Sequence, residues 1–167
     1  PVDYKTRSGS GISLKPDQLP WIPGWDIAGT IEQAPDNSAI SVGDTVYGMV
    51  YFPKVGSAYA EYVVADPDHI AHAPKSVDLI TAASVPLVTL TAWQGLFETA
   101  DLQSGQSVLI HAAAGGVGHV AVQLAKWRGA HVIGTASGKN AGYLAQIGVD
   151  EFIDYTTTRF EDAVSDS

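Results

Sequence analysis

The run from Ala113 to Gly118 has the residue types and spacing of a turn that binds a phosphate group. It reads Ala-Ala-Gly-Gly-Val-Gly, which is the dinucleotide fingerprint G-x-G-x-x-G with alanine in the first place. Gly115 would let a pyrophosphate approach the backbone, and Gly118 would let the following helix pack closely against the preceding strand. The residues expected at the pyrophosphate are Ala114, Gly115, Gly116, Val117 and Gly118. A tight turn that binds nothing is the alternative interpretation.

The segments on either side of the turn have the patterns that such a turn needs. Residues 107–111 form a short apolar, β-branched run, as expected of a strand that is buried on both faces. Apolar residues then recur at helical spacing, at Val117, Val120, Ala121, Leu124 and Ala125. A strand, a glycine turn and a helix in this order favour a nucleotide site, with the N–H groups at the start of the helix facing the anion.

The predicted second strand, 131–135, indicates which nucleotide would bind. A site that prefers NAD usually carries Asp or Glu about 20 residues after the turn, and residues 136–140 contain no acid. Ser137 and Lys139 stand there instead, and a hydroxyl with a cation suits a 2′-phosphate. We therefore expect NADP(H) as the cofactor. The alternative is that Ser137 only caps a helix over 139–147 and that Lys139 is solvated.

The composition of the 167 residues excludes several classes of protein. The chain has no cysteine, which excludes disulfides and cysteine-ligated zinc. A formal net charge of −9 argues against nucleic acid or an anionic membrane as a partner. The longest apolar stretch, 79–90, is interrupted by Pro86 and is too short to span a bilayer. We expect a globular, cytoplasmic enzyme.

The first half of the chain predicts a small β-barrel. Polar, glycine-rich residues 1–11 predict a loop, and the run 57–65 predicts a strand. The other predicted strands span 25–32, 45–51 and 69–73. Residues 78–99 have a different composition, rich in Ala, Leu and Thr, and they predict two helices that part near Pro86.

The second half predicts the first half of a Rossmann-type α/β fold. Strands and helices alternate along it, which indicates a parallel sheet with right-handed crossovers. The predicted elements span 107–112, 117–128, 131–136, 139–147 and 151–154, and a further helix begins at Arg159. Since a complete doubly wound fold has two such halves, we expect the sequence to be a fragment. The domain boundary is expected near residue 88, which divides the chain into 1–87 and 88–167.

Taken together, these segments resemble the zinc-independent quinone oxidoreductase branch of the medium-chain dehydrogenase/reductase superfamily. The resemblance rests on PVDYKTRSG (1–9), IPGWDIAGTIE (22–32), VGDTVYGM (42–49), AYAEYVV (58–64), VPLVTLTAWQGL (85–96), AAAGGVGHVAVQLAK (112–126) and GVDEFIDY (148–155). It implies a GroES-like β-barrel domain followed by a Rossmann domain, with the substrate and the nicotinamide in the cleft between them.

The resemblance also implies a metal-free enzyme. The zinc-binding branch of the superfamily has histidine in a Gly-His-Glu step, where this chain has Gly24-Trp25-Asp26, and tryptophan cannot ligate zinc. The five histidines show no metal-ligand spacing. The implied reaction is hydride transfer from NADPH to a small-molecule quinone or enone, with much of the chemistry belonging to the cofactor. The alternatives are an enoyl-thioester reductase and a non-catalytic NADPH-binding module. We expect the intact protein to be a homodimer.

Four residues outside the glycine turn receive roles from the same resemblance. Tyr155 would lie beside the adenosine phosphate, or else is a surface tyrosine. Thr91 would line the nicotinamide pocket, or else bonds its own helix backbone. Tyr4 and Arg7 would border the substrate, where a neutral tyrosine could donate a hydrogen bond to a carbonyl that becomes an enolate. Some relatives carry that tyrosine one place later, where this chain has Lys5, and solvent could supply the proton equally well.

Overall fold

A computed structural model describes residues 1–12 and 19–164 of the chain. The chain folds into two compact units, Pro1–Leu87 and Val88–Ser167. Each unit has its own three-stranded sheet, antiparallel in the first unit and parallel in the second. Within the described ranges, none of the helices is both long and apolar enough to cross a bilayer.

The sheet of the first unit has the strand order β1-β2-β3. Its strands are β1 (Asp26–Thr30), β2 (Thr45–Met49) and β3 (Ile70–His72). Its helices are α1 (Val2–Arg7) and α2 (Leu79–Ala83), and a 3₁₀ turn spans Pro67–His69. Val46 and Gly48 are buried while Thr45 is exposed, which is the period of two of a half-buried strand. Asp78 caps α2 by accepting a hydrogen bond from the Thr81 N–H at 2.7 Å.

Helix α1 is an element that the sequence did not predict, because the polar residues 1–11 were expected to form a loop. The first turn of α1 carries an acidic residue and the last turn carries two basic residues, so its charges complement the helix dipole. Thr6 is buried, and its hydroxyl accepts a hydrogen bond from the Ile12 N–H at 3.1 Å. A helix of six residues is too short to show an apolar stripe, which is why its sequence pattern did not reveal it.

The strand predicted over 57–65 is wrong. Two backbone hydrogen bonds join residues 58–59 to residues 23–24, at 3.1 and 2.9 Å. Within the part of the chain that the structure describes, the rest of the segment joins neither sheet. An alternating pattern suits a strand, but a strand also needs a neighbour that offers N–H and C=O groups. Tyr62 and Val64 accordingly remain 75% and 84% exposed.

The second unit is built on a parallel sheet in the order β4-β5-β6. Its strands are β4 (Ser107–Ile110), β5 (His131–Ala136) and β6 (Glu151–Asp154). The α-helices of this half of the chain are α3 (Pro86–Trp93), α4 (Gly116–Arg128), α5 (Ala141–Gln146) and α6 (Phe160–Ala163). A π-helical turn, Gln94–Thr99, continues α3, and a 3₁₀ turn, Gly138–Asn140, precedes α5. Pro86 occupies the first position of α3, where a missing N–H is tolerated.

Helix α4 packs against β4 and β5. Ala121 and Ala125 on its predicted apolar stripe are buried, and Val122, which lies beside the stripe, is completely buried as well. The helix ends at Gly129, whose φ of 85° lies in the left-handed region that a C-cap glycine adopts. Strand β5 lies between two other strands and is buried along almost its whole length, as expected of the centre of a parallel sheet.

Tryptophan pairs occur in both units. Trp21 and Trp25 of the first unit have ring centroids 6.0 Å apart. Trp93 and Trp127 of the second unit have ring centroids 6.1 Å apart, and Phe97 meets Trp93 edge-on at 4.7 Å. The Arg128 guanidinium lies over the Phe97 ring at 4.6 Å, within cation–π distance. These aromatic contacts join the C-terminal end of α4 to the end of α3 and the π-helical turn that follows it.

Candidate functional site

The glycine turn is tied to the neighbouring strand by backbone hydrogen bonds. The Ala113 N–H donates to the Thr135 carbonyl at 2.9 Å, and the Gly115 N–H donates to the Ala112 carbonyl at 2.8 Å. Ala112 has a φ of 50°, in the left-handed region that a residue with a Cβ seldom occupies. Backbone conformations of this kind concentrate at ligand-binding sites, where the surrounding contacts hold them.

Helix α4 offers unused donors at its N-terminus. Its first intrahelical hydrogen bond is made by the His119 N–H, which donates to the Gly115 carbonyl at 3.0 Å. The N–H groups of Gly116, Val117 and Gly118 precede that bond and have no acceptor within the helix. In the described part of the chain, no side chain caps this helix. The arrangement can hold an anion, since the N–H groups and the helix dipole both favour negative charge.

Gly118 lies where the helix and the turn are closest. A Cβ at Gly118 would overlap the carbonyl oxygen of Ala112 and would lie 2.8 Å from the Ala113 Cα. A Cβ at Gly115 would lie 3.1 Å from the same carbonyl oxygen, which is also tight. Gly116 has more room, because its nearest neighbour would be the Val88 Cγ1 at 3.6 Å. The close approach that the sequence predicted for Gly118 is therefore present.

Ser137 and Lys139 lie in the turn that follows β5. Ser137 precedes the 3₁₀ turn, and its hydroxyl accepts a hydrogen bond from the Asn140 side-chain amide at 3.1 Å. Among the described residues, the Ser137 side chain makes no capping hydrogen bond to the backbone of that turn. Lys139 is exposed and has no ion pair with any described residue. Both side chains are thus placed where they can bind a ligand.

Tyr155 and Thr91 lie at two further positions near these turns. Tyr155 directly follows β6 and is 61% exposed, and its N–H donates to the Ala136 carbonyl at 3.3 Å. Thr91 is exposed on α3, one helical turn after Val88. The side chain of Val88 lies beside Gly116 in space. Tyr155 is therefore adjacent to the turn after β5, and Thr91 shares a helix face with a neighbour of the glycine turn.

The carboxyl ends of the three parallel strands bring the candidate cofactor residues to one edge of the sheet. The glycine turn follows β4, the Ser137–Lys139 turn follows β5, and Tyr155 follows β6. Strand β5 pairs with both of the others, so the three turns are neighbours. In open α/β sheets, ligands bind in the crevice outside the carboxyl ends of the strands.

Asp154, the last residue of β6, is a part of this edge that sequence reasoning missed. Its Oδ1 accepts hydrogen bonds from the Thr156 N–H at 2.9 Å and from the Thr156 hydroxyl at 2.7 Å. These bonds, led by that of the hydroxyl, hold the pKa of the Asp154 carboxyl below its ordinary value, and the Gly138 amide acts in the same direction. A search for an acid at the end of the second strand could not find a carboxylate that comes from the third.

Tyr4 and Arg7 lie on α1 in the first unit. With Asp3, Pro23 and Tyr59 they line a small cavity of about 60 Å³. The Tyr59 hydroxyl donates to the Asp3 carboxylate at 3.3 Å, and the negative charge of Asp3 raises the pKa of the Tyr59 phenol. Tyr59 is a second phenol that lines the same cavity as Tyr4 and Arg7. The sequence did not indicate it, because more than fifty residues separate it from α1 along the chain.

Asp26 begins β1 and lines an open groove of about 1270 Å³ in the first unit. Its Oδ1 accepts a hydrogen bond from the Leu87 N–H at 2.9 Å, at the beginning of α3. Burial raises the pKa of the Asp26 carboxyl to about 6, the Leu87 N–H opposes this rise, and the charge of Asp3 adds to it. Asp26 therefore takes up a proton just below neutral pH.

Trp25, at the step where zinc-binding relatives are expected to have histidine, belongs to the core of the first unit. It is 1% exposed, its indole N–H donates to the Lys54 carbonyl, and its ring packs edge-on against Phe52 at 5.5 Å. Across residues 1–12 and 19–164, no group of three or more His, Cys, Asp or Glu side chains could hold a metal ion.

Two family models match the chain. The alcohol dehydrogenase GroES-like domain matches residues 1–75, and the zinc-binding dehydrogenase model matches residues 116–167. The first match covers most of the unit with the antiparallel sheet, and the second covers the part of the parallel-sheet unit that begins within the glycine turn. The architecture is therefore a GroES-like domain followed by a Rossmann-type parallel sheet.

The relatives and solved structures agree with these matches. The chain is 39% identical over 94% of its length to the chloroplastic quinone-oxidoreductase homolog of Spinacia oleracea, of which it covers 49%. It is 36% identical over 97% of its length to the chloroplastic NADPH-dependent alkenal/one oxidoreductase of Arabidopsis thaliana, of which it covers 44%. It superposes on the quinone oxidoreductase from Coxiella burnetii with a TM-score of 0.91 and 43% identity, covering 99% of this chain and 53% of that one.

The chain thus spans about half the length of the curated relatives it matches. Its similarity extends over both units, because each comparison covers more than nine-tenths of its residues. With its GroES-like domain, its Rossmann-type sheet and its quinone oxidoreductase relatives, the chain belongs to the quinone oxidoreductase branch of the medium-chain dehydrogenase/reductase superfamily.

Proposed function

We propose that the intact protein is a zinc-independent, NADPH-dependent oxidoreductase that transfers hydride to a quinone or to an α,β-unsaturated carbonyl compound. The observation that carries this proposal is the edge of the parallel sheet, where unused helix N–H groups lie near a turn with Ser137 and exposed Lys139. The names of the relatives, which include an NADPH-dependent alkenal/one oxidoreductase, support the substrate class and the cofactor.

The residues of the second unit bind and orient the cofactor in this proposal. NADPH, when bound, supplies the hydride. The N–H groups at the start of α4 hold the pyrophosphate, and Gly115 lets it approach the backbone. Lys139 and Ser137 bind the 2′-phosphate, Tyr155 lies beside the adenosine phosphate, and Thr91 borders the nicotinamide. Each of these groups positions the cofactor, so that its loss changes binding before it changes chemistry.

The residues of the first unit act on the substrate. Tyr4 and Arg7 share one small cavity, and either can donate a hydrogen bond to a carbonyl oxygen that gains negative charge during hydride transfer. Such donors stabilise the transition state more than the ground state, because the charge develops only as the hydride moves. In this proposal zinc does not act as a Lewis acid. The reasons are that the buried Trp25 stands where zinc-binding relatives are expected to have a histidine ligand, and that the sequence has no cysteine.

The choice of cofactor is tested by Lys139→Ala in the full-length protein. A charge-assisted hydrogen bond contributes about 1.5–3 kcal/mol, so the variant should bind NADPH roughly 10- to 150-fold more weakly. Because Lys139 is exposed, solvent screening should place the loss near the lower value. NADH lacks the 2′-phosphate, and its affinity should change less than about threefold. Isothermal titration of both cofactors measures this directly.

Lys75→Ala is the matched control, because Lys75 is an exposed lysine of the first unit. It removes the same charge and should leave both affinities unchanged. An equal loss of NADPH and NADH affinity in Lys139→Ala would show that Lys139 only supports the fold. A wild-type protein that prefers NADH would contradict the proposed cofactor. Oxidation of NADPH upon addition of a quinone or an enone separates an enzyme from a binding module, which binds NADPH without turnover.

A further inference from the structure

Asp154 brings a carboxylate from β6 to the turn that follows β5. It is paired with Ala136, so the two strands end side by side. Its Oδ1 takes both hydrogen bonds from Thr156, at 2.9 and 2.7 Å. Its Oδ2 lies against Gly138, where an added Cβ would be 2.5 Å from the oxygen. The carboxylate therefore contacts the turn between Ser137 and Lys139, and a side chain at position 138 would require the carboxylate to move.

The donors of the protein around Asp154 favour its ionised form. The Thr156 hydroxyl and N–H hold the pKa of the Asp154 carboxyl below its ordinary value, and the Gly138 amide adds to their effect. At neutral pH a full negative charge thus lies next to the turn proposed to bind a phosphate. Such a charge repels a phosphate and so lowers the affinity for it. A carboxylate at this place can still favour phosphate binding if it holds Ser137 and Lys139 in the position that the phosphate needs.

We propose that Asp154 is a positioning residue, which sets the preference for NADPH over NADH by holding Gly138 and so fixing Ser137 and Lys139 for the 2′-phosphate. The inference rests on the proposed function. In a site that selects NAD, an acid at the end of the second strand accepts hydrogen bonds from the ribose hydroxyls. Here the acid comes from the third strand and its hydrogen bonds are made within the protein, so it builds the turn instead of binding the ribose.

Two substitutions in the full-length protein separate position from charge. Asp154→Asn keeps the shape of the side chain but removes its charge. If the asparagine oxygen accepts the hydrogen bonds from Thr156, its NH₂ group faces the N–H of Gly138. Two hydrogen-bond donors then face each other, and the contact with Gly138 is lost. Thr156→Val removes only the hydroxyl donor and leaves both the charge and the turn sequence unchanged. Asp150→Asn is the matched control, since Asp150 is a hydrogen-bonded carboxylate of the same unit that precedes β6 instead of ending it.

Isothermal titration of NADPH and NADH gives the ratio of the two affinities for each variant, and thermal melts establish that each is folded. Asp154→Asn should weaken NADPH binding about five- to tenfold, the effect of one lost hydrogen bond, and NADH binding less than about twofold. Thr156→Val should shift the ratio about two- to threefold in the same direction. Asp150→Asn should leave the ratio unchanged, because a merely structural carboxylate affects both cofactors equally.

Three results would overturn the inference while the wild type still prefers NADPH. Tighter NADPH binding by Asp154→Asn would show that repulsion outweighs positioning. A larger loss for NADH than for NADPH would show that the carboxylate binds the ribose. An unchanged ratio would leave Asp154 with a structural role only. A wild-type protein that prefers NADH would overturn the proposed cofactor, and this inference would fall with it.

Discussion

Asp26 holds its proton more tightly in the folded chain than in the unfolded chain. Burial raises its pKa from 3.8 to about 6. Between these two values the native state binds more protons than the unfolded state, so the free energy of unfolding falls as the pH rises. The stabilisation from protonated Asp26 is complete below about pH 4 and is lost as the pH passes through about 6. Asp150 has a lowered pKa and shows the opposite dependence at lower pH.

We predict that Asp26→Asn removes this dependence. Asparagine still accepts the hydrogen bond from Leu87, but it carries no charge to desolvate. The variant should gain about 1 kcal/mol over the wild type at pH 7, because one pKa unit corresponds to about 1.4 kcal/mol and partial exposure weakens the penalty. Urea unfolding at several pH values between 4 and 7.5 measures the difference. Asp36→Asn, at an exposed turn position, is the control, and parallel curves for wild type and Asp26→Asn would contradict the prediction.

At the scale of elements, the contact between α4 and the glycine turn leaves too little space for a side chain at Gly118. We predict that Gly118→Ala destabilises the protein by about 1–3 kcal/mol, since the new Cβ would overlap the Ala112 carbonyl in a packed interior. It should also weaken the binding of both NADPH and NADH, because α4 must move away from the turn. Gly142→Ala is the control, as no atom lies within 4 Å of its Cβ position in α5, and it should stabilise by up to about 1 kcal/mol. Thermal unfolding compares the two, and equal shifts would contradict the prediction.

The second unit was predictable at this scale and parts of the first unit were not. Each βαβ element carries its own pattern, as in α4, where the apolar stripe and the terminal Gly129 are local signals. The segment 57–65 also has a strand pattern, but whether it pairs depends on which strand lies beside it. Helix α1 is too short for a periodic signal. The carboxylate of Asp154 reaches its turn through the register of β5 with β6, which no local pattern specifies.

For the whole molecule, we predict that catalysis is independent of zinc. The position at which zinc-binding relatives are expected to have histidine holds Trp25, which is buried in a core and cannot act as a ligand. Elemental analysis of the full-length protein should find less than stoichiometric zinc, and treatment with a chelator should leave NADPH oxidation by a quinone unchanged. Stoichiometric zinc that a chelator removes together with activity would contradict the prediction.

The distribution of the tryptophans gives each unit its own optical signal. Of the four tryptophans, Trp21 and Trp25 belong to the first unit, and Trp93 and Trp127 to the second. Trp25 is 1% exposed and Trp127 is 68% exposed, so their fluorescence should differ in wavelength, the buried indole emitting further to the blue. Replacing one pair with phenylalanine would leave tryptophan fluorescence, excited selectively at long wavelength, in a single unit. The unfolding of each unit can then be followed separately in the same intact chain.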